Sequence, residues 1–206
     1  ILQPDISTLG VIGLTSVFLY FLAGTPLWHS LLLILSGIAS LGVLIQVAPY
    51  RLSRLAVFLN PSLDPLGQGY QIKQALIGIG SGGITGLGLG LSFQKFGTLP
   101  EPISDSIFAV FAEEVGFIGA ALLIFIFLAF AFRSFIVAKR VDDKFAQLAM
   151  MGIASWITIQ AFINMGAMMG ILPLTGIPLP FISYGGSALL SELIAIGVLL
   201  NISKHA

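Results

Sequence analysis

Long apolar segments constrain this chain more firmly than any other feature of its sequence. Five of them, each long enough for a helix that crosses about 30 Å of hydrocarbon, occupy residues 8–24, 27–48, 106–132, 145–170 and 184–202. The chain is 57% hydrophobic and only 9% charged. A soluble domain of 206 residues could not hide so much apolar surface in one core. The sequence therefore predicts an all-α fold, a polytopic transmembrane helical bundle.

A sixth segment, residues 71–92, is a weaker candidate for a membrane helix. It carries seven glycines between Gly78 and Gly90. Glycine lowers helix stability and permits backbone angles that other residues avoid. We therefore expect a short or broken helix here, followed by a loop, which brings the total to about six membrane segments.

Lys and Arg near the ends of the spans predict the orientation, because they favour the cytoplasmic side. If all six segments cross, residues 49–73, residues 133–144 and the C-terminus share one side and hold eight of the nine basic residues. That side is then cytoplasmic, and a large loop around residues 81–105 faces outward with Lys95 as its base. If residues 71–92 do not cross, residues 81–105 lie instead on the same face as Arg51.

Charge and composition exclude several classes of function. The net charge is zero and the basic residues form no stripe interleaved with aromatic residues, so nucleic acid is not an expected partner. The chain has no cysteine, which excludes disulfides, thiolate metal sites and a cysteine nucleophile. His29 and His205 lie far apart in sequence, which argues against a metal site built on histidine.

The stretch KFGTLPEPISDSIFAVFAEEVG, residues 95–116, brings four carboxylates to the start of a long apolar segment: Glu101, Asp105, Glu113 and Glu114. Asp105 is suited to cap the following helix, and equally to act as a general base at the membrane surface. Glu113 and Glu114 lie about two helical turns further on. Either they brace the loop above, or the helix begins outside the hydrocarbon and leaves them among the headgroups.

Lys95, next to Gln94, is the single base of the predicted outer loop. A lysine on flexible glycine-rich backbone suits a diphosphate, which a point charge and backbone N–H groups can bind together. The alternative is a lysine that extends to the membrane interface without binding a ligand.

The segment GILPLTGIPLPFISYGGSALL, residues 170–190, cannot form one regular helix, because it contains Pro173, Pro178 and Pro180. Apolar, non-helical backbone at a membrane surface requires a protein or cavity environment. We therefore predict a re-entrant-like loop that lines a cavity and ends with Ser183, Tyr184, Gly185 and Gly186. Positive φ angles are expected at the two glycines.

Gln160 and Asn164, four residues apart in the preceding apolar segment, share one helical face. Amide side chains in membrane helices commonly bond to neighbouring helices. We expect that structural role for both residues rather than a place in a functional site.

Taken together, these residues resemble the C-terminal half of SEDS proteins, the family of bacterial peptidoglycan polymerases. The matching stretches are QPDIST, YRLSRLAVFLNPSLDPLGQGYQIKQALIGIGSGGITGLGLG, SFQKFGTLPEPISDSIFAVFAEEVG and MGILPLTGIPLPFISYGGSALL. SFQK followed by LPE is more similar to the FtsW group than to the RodA group. The resemblance implies that residues 1–206 form a single transmembrane domain, helices five to ten of a ten-helix protein.

The resemblance also implies the site. Asp105 is the catalytic general base, and Glu113 and Glu114 support the loop that carries it. The substrate-binding residues are Gln94, Lys95, Pro100, Glu101, Ser183, Tyr184, Gly185 and Gly186.

The implied reaction is inverting polymerisation of lipid II into nascent glycan at the outer face of the bacterial cytoplasmic membrane during cell division, with the C-terminus in the cytoplasm. A class b penicillin-binding protein, FtsI-like, and other division proteins are the implied partners. The leaving diphosphate needs charge compensation, and three sources remain open: Lys95, a divalent cation such as Mg or Mn, or the other half of the protein.

Two other functions fit parts of the pattern. A transporter that flips lipid II would also use broken helices and acids within the membrane. A noncatalytic scaffold of the division machinery is the third possibility. Because a flippase needs its ionisable groups near the membrane midplane, the predicted position of Asp105 at the outer edge favours the polymerase.

Overall fold

The computed structural model describes residues 6–47 and 50–204. This part of the chain folds into seven α-helices: α1 (Ile6–Leu22), α2 (Leu27–Val47), α3 (Tyr50–Leu59), α4 (Gln68–Ser81), α5 (Ile107–Ala138), α6 (Lys144–Met168) and α7 (Gly186–Ser203). A short 3-10 turn, Pro61–Leu63, separates α3 from α4. The first three residues of the QPDIST stretch and His205 lie outside the described residues.

The helices confirm the predicted all-α membrane fold. Within the described residues, three helices are long and apolar enough to cross a membrane: α5, α6 and α7. Shorter apolar helical segments occupy Ser7–Leu22 and Leu27–Gly37, within α1 and α2. These five segments correspond to the five long apolar runs of the sequence.

The sixth apolar segment is a short helix followed by a loop, as its glycines predict. Helix α4 has 14 residues and ends at Ser81, so it is about 21 Å long and shorter than a bilayer's hydrocarbon core. The loop that follows takes positive φ angles at Gly83, Gly86, Gly88 and Gly90. The chain thus leaves helical geometry where the glycines cluster.

Helix α3 lies within residues 49–73, where the sequence analysis predicts no helix. Turn chemistry organises the backbone of the residues that follow α3. The side chain of Asn60 accepts a hydrogen bond from the Ser62 N–H at 3.3 Å. The carboxylate of Asp64 accepts from the Gly67 and Gln68 N–H groups at 3.0 and 2.8 Å, and so satisfies donors at the start of α4.

The chain divides into two compact units. The first comprises Ile1–Pro49, Leu128–Ile159 and Ser187–Ala206. Its buried core contains Ala138, Met150, Met151 and Leu199. Small residues allow close helix packing: a Cβ on Gly152 would lie 2.8 Å from a methyl of Leu19. The second unit, Tyr50–Phe127 with Gln160–Gly186, contains all the residues of the predicted site.

Candidate active site

A tight turn at residues 101–106 carries Asp105 to the start of α5. The carbonyl of Glu101 accepts hydrogen bonds from the N–H groups of Ser104 and Ser106 at 3.3 and 3.1 Å, and Glu101 itself has a φ of +48°. Because α5 begins at Ile107, the residue just before the helix is Ser106. Asp105 therefore lies on the turn, one residue before the usual capping position. Its side chain is half-buried.

The same turn is joined to the start of α4 through Ser106, whose side chain is fully buried. The Ser106 hydroxyl donates to the Pro100 carbonyl at 2.9 Å and accepts from Nε2 of Gln71 at 3.0 Å. The interpretation with six crossings puts the starts of α4 and α5 on opposite sides of the membrane. Their direct contact contradicts it, and supports the alternative in which residues 81–105 lie on the same face as Arg51.

The loop between α6 and α7 is fastened to the Asp105 turn by Ser183 and Tyr184. The Ser183 hydroxyl donates to the Ser104 carbonyl at 2.6 Å and accepts from the Leu179 N–H at 2.7 Å. The Tyr184 N–H donates to the Ile103 carbonyl at 2.8 Å. The Pro-rich loop is therefore non-helical, as its prolines predict, and it packs against the Asp105 turn.

Asn164 and Gln160 hold this loop from α6. Nδ2 of Asn164 donates to the carbonyls of both Asp105 and Ile177, at 2.8 and 2.7 Å. Nε2 of Gln160 donates to the carbonyl of Pro178 at 3.0 Å. The sequence correctly assigns hydrogen bonding to the two amides, but these bonds reach loop backbone and not another helix.

The carboxylate of Asp105 lies against Gly176. A Cβ added to Gly176 would be 3.3 Å from Oδ2 of Asp105, and Gly176 has a φ of +66°. A glycine is therefore favoured here both by its backbone conformation and by the space that the carboxylate occupies. The loop and the turn thus meet at the acid that the sequence analysis singles out.

The expectation of positive φ at Gly185 and Gly186 is wrong. In this loop the positive φ angles belong to Gly170, Gly176 and Phe181. Gly186 is the first residue of α7, and a Cβ there would meet nothing within 4 Å. The unusual backbone lies upstream of the two glycines, because the chain turns around the prolines before it re-enters a helix.

Glu113 braces the loop that precedes the Asp105 turn. Its side chain is 1% exposed, and its carboxylate accepts four hydrogen bonds. The donors are the hydroxyls of Ser81, at 3.3 Å, and Ser92, and the N–H groups of Phe93 and Gln94, both at 3.2 Å. A buried carboxylate with this many donors ties the end of α4 and residues 92–94 to α5.

Helix α5 is broken at Gly116, where φ is +69° and ψ is −168°. The glycine-rich loop pairs with the freed backbone on both sides of the break. The Leu87 and Gly88 N–H groups donate to the Glu113 and Glu114 carbonyls, both at 3.0 Å. In return, the Phe117 and Ile118 N–H groups donate to the Gly83 and Ile84 carbonyls at 2.9 and 3.1 Å. Backbone groups that a helix break would leave unpaired are thereby satisfied.

The break separates a protein-buried part of α5 from a part with exposed apolar side chains. Phe108, Ala109 and Ala112 are buried before the break, whereas Phe117 is 71% exposed just after it. Glu113 and Glu114 therefore precede the apolar surface that suits lipid. The burial of Glu113 agrees with the brace for the loop and not with an acid left among the headgroups. The point at which α5 enters the hydrocarbon stays a prediction.

Lys95 is paired with the second acid, since its Nζ lies 2.8 Å from Oε1 of Glu114. The Lys95 Nζ also lies 5.4 Å from the centre of the Phe96 ring. About a quarter of the Lys95 side-chain surface remains exposed. A ligand anion would therefore have to share or displace the contact with Glu114.

The other predicted binding residues differ widely in exposure. Gln94 is buried and accepts a hydrogen bond from the Thr98 hydroxyl at 3.0 Å, whereas Pro100 and Glu101 are exposed and Tyr184 is 77% exposed. Their roles toward a substrate remain predictions. Among the described residues, no group of three or more His, Cys, Asp or Glu side chains could hold a metal ion.

Sequence reasoning missed three residues that shape the site: Gln71, Gly176 and Asn164. Gln71 begins the sixth apolar segment, and six crossings would put it on the opposite side of the membrane from Ser106, so their contact had no sequence signal. The four-residue spacing of Gln160 and Asn164 was a usable signal, because it put two amides on one face. It could not identify the carbonyls that they bind.

The apolar helices define a multi-pass membrane protein. Its candidate site is the carboxylate of Asp105, which lies on a loop beside the start of α5. A family model described as cell cycle protein, FtsW/RodA/SpoVE, matches residues 1–206. The chain belongs to this family, and the resemblance to SEDS proteins is confirmed.

Individual relatives agree with this assignment. Stage V sporulation protein E of Bacillus subtilis is 45% identical over 204 residues, which are 99% of this chain and 56% of that protein. A probable peptidoglycan glycosyltransferase FtsW of Coxiella burnetii is 44% identical over 206 residues, 98% of this chain and 55% of that protein. The chain therefore spans about half the length of the curated relatives it matches.

One solved structure is also similar to this chain. It comes from work on the structural coordination of polymerization and crosslinking by a peptidoglycan synthase complex. The TM-score is 0.73 at 28% identity, and the match covers 98% of this chain and 56% of the solved one.

Proposed function

We propose that the full-length protein is a peptidoglycan glycosyltransferase that polymerises lipid II during cell division. The observation that carries the proposal is the position of Asp105. Its half-buried carboxylate lies against Gly176, on a turn that is hydrogen-bonded to α4, to α6 and to the loop before α7. A carboxylate carried on a turn that is held from three directions is suited to general-base catalysis. The names of the FtsW relatives support the choice of reaction.

We propose that five helices of this chain cross the membrane: α1, α2, α5, α6 and α7. Because α4 is too short to cross and its start contacts the start of α5, the chain supplies the last five helices of a ten-helix protein, in one transmembrane domain. The short loop between α5 and α6 contains Lys139 and Arg140, and is cytoplasmic by the positive-inside rule. The Asp105 turn then faces outward and the C-terminus lies in the cytoplasm.

In the proposed reaction, Asp105 accepts the proton from the 4-hydroxyl of the acceptor N-acetylglucosamine. The resulting oxygen nucleophile attacks the anomeric carbon of the donor N-acetylmuramic acid with inversion. The bond from that carbon to the diphosphate oxygen breaks, and polyprenyl diphosphate leaves. The sugars stay at the outer surface, and the lipid remains among apolar helices.

Lys95 is the first source of charge compensation for the diphosphate. Its ammonium group leaves the ion pair with Glu114 and pairs with the leaving group. The substrate-binding surface further includes Gln94, Pro100, Glu101 and residues 183–186. A divalent cation, Mg or Mn, bound with the diphosphate would add to this compensation, and the other half of the protein is a further source.

We further propose that a class b penicillin-binding protein, FtsI-like, cross-links the glycan that this protein makes, within a complex of division proteins. The similarity to a chain of a solved peptidoglycan synthase complex supports this partnership.

The isosteric change Asp105→Asn in the full-length protein with its penicillin-binding partner tests the catalytic role. Asparagine keeps the shape of the side chain but cannot accept the hydroxyl proton, so glycan synthesis from purified lipid II should fall by about a hundredfold to ten-thousandfold. Thermal unfolding should stay close to that of the wild type. Polymerisation within about threefold of the wild type, a barrier change of about 0.7 kcal/mol, would remove Asp105 from the mechanism.

A further inference from the structure

Asn164 connects α6 to the turn that carries Asp105 and to the loop before α7. It is 1% exposed, and both of its hydrogen bonds from Nδ2 go to backbone carbonyls. One belongs to Asp105 and the other to Ile177, the neighbour of Gly176. Because carbonyls only accept hydrogen bonds, the NH2 group must face them, and the orientation of the amide is fixed by its partners.

We propose that Asn164 is a positioning residue that sets the Asp105 carboxylate at its working place. A single amide group holds the carbonyl of the acid and the carbonyl of Ile177, the residue after Gly176, at one point. The two contacts therefore fix the separation between Asp105 and Gly176, where Oδ2 lies 3.3 Å from the position a Cβ would occupy. This inference rests on the proposed function and adds a residue to its machinery.

Gln160 provides a matched control. It is buried at 7% exposure on the same face of α6, one turn earlier, and its amide also donates to a carbonyl of the same loop. That carbonyl belongs to Pro178, and the bond does not involve the Asp105 turn. Loss of either amide weakens the loop, but only loss of Asn164 releases Asp105.

The first measurement does not depend on catalysis. In a full-length protein with Asp105→Cys as its single cysteine, we measure the rate of labelling by a membrane-impermeant maleimide. Adding Asn164→Ala should raise the rate by about tenfold or more, because the turn opens locally more often. Adding Gln160→Ala should leave it within about twofold of the parent. Equal rates in the three proteins, or equal increases with both alanine changes, would overturn the proposal.

The second measurement is lipid II polymerisation with Asp105 in place. Asn164→Ala should lower kcat by about tenfold to a hundredfold with KM nearly unchanged, since a misplaced catalytic group costs rate and not binding. Gln160→Ala should stay within about threefold. A matching loss in both variants would reduce Asn164 to a structural residue.

Asn164→Leu and Gln160→Met guard against misfolding of the alanine variants. Each keeps a side chain of similar length and removes the NH2 donor without placing a charge in the interior, and the same contrast in labelling and rate is expected between them. If Asp105→Asn proves active, the proposed function fails while the labelling contrast still decides whether Asn164 holds the turn.

Discussion

Gly86 and Gly116 meet backbone to backbone. A Cβ on Gly116 would lie 2.3 Å from the backbone nitrogen of Gly86, and a Cβ on Gly86 would lie 2.1 Å from the Glu114 carbonyl oxygen. No side chain fits on either residue without a shift of the main chain. The paired glycines thus allow the loop after α4 to lie in the break of α5, next to the two acids that hold residues 92–95.

We expect Gly116→Ala to destabilise the protein strongly. The backbone at Gly116 lies in a region open almost only to glycine, and occupying it with another residue costs about 1–3 kcal/mol before any clash is counted. Thermal unfolding in detergent should show a large fall in Tm. Gly80→Ala is the control, because a Cβ there meets nothing within 4 Å on α4, and it should leave Tm unchanged or slightly raised. Equal Tm values for the two variants would contradict the tight contact.

Glu113→Ala should release the loop at residues 92–94. The change leaves the Ser92 hydroxyl and the Phe93 and Gln94 N–H groups without this acceptor, and a hydrogen bond to a charged group contributes about 1.5–3 kcal/mol. The Ser81 hydroxyl keeps its bond to the Gly78 carbonyl at 2.8 Å. Limited trypsin digestion at Lys95 should become much faster. Glu101→Gln, an exposed site in the same loop system, should digest at the parental rate. Unchanged cleavage of the Glu113 variant would show that the carboxylate does not brace the loop.

Exchanging the charges of Lys95 and Glu114 tests whether Lys95 only stabilises the fold or also binds the substrate. Exchanging the two charges, Lys95→Glu with Glu114→Lys, should restore thermal stability relative to either single change, because the ion pair is remade. Polymerisation should stay low in the exchanged protein, since the cation no longer projects from residue 95. Full activity of the exchanged protein would show that Lys95 serves only as a partner of Glu114.

Labelling of single cysteines tests the proposed topology. Cysteines at Thr98 and at Leu66, which is 93% exposed, should both react with a membrane-impermeant thiol reagent outside intact cells. A cysteine at Asp142, in the loop between α5 and α6, should react only after permeabilisation. Protection of position 66 with labelling at 98 would mean that α4 crosses the membrane after all. Labelling at 142 alone would place Asp105 in the cytoplasm and end the polymerase proposal.

The local properties of the chain were readable from sequence because they depend on residues close to one another. The length of apolar runs determines which segments can cross hydrocarbon, and the glycines between Gly78 and Gly90 marked the end of α4. The four-residue spacing of Gln160 and Asn164 revealed one polar face. The acids before and within α5 identified the region of the candidate site.

Tertiary structure decided which distant groups meet. Asn164 binds the carbonyl of a residue 59 positions away, and Glu113 binds Ser92 across 21 positions. Spacing identifies a face of a helix but not its partner, so neither bond could be predicted. The break at Gly116 was hidden for the same reason: an isolated glycine in an apolar run is compatible with a continuous helix. It becomes a break only because the backbone of residues 83–88 replaces the missing helical hydrogen bonds.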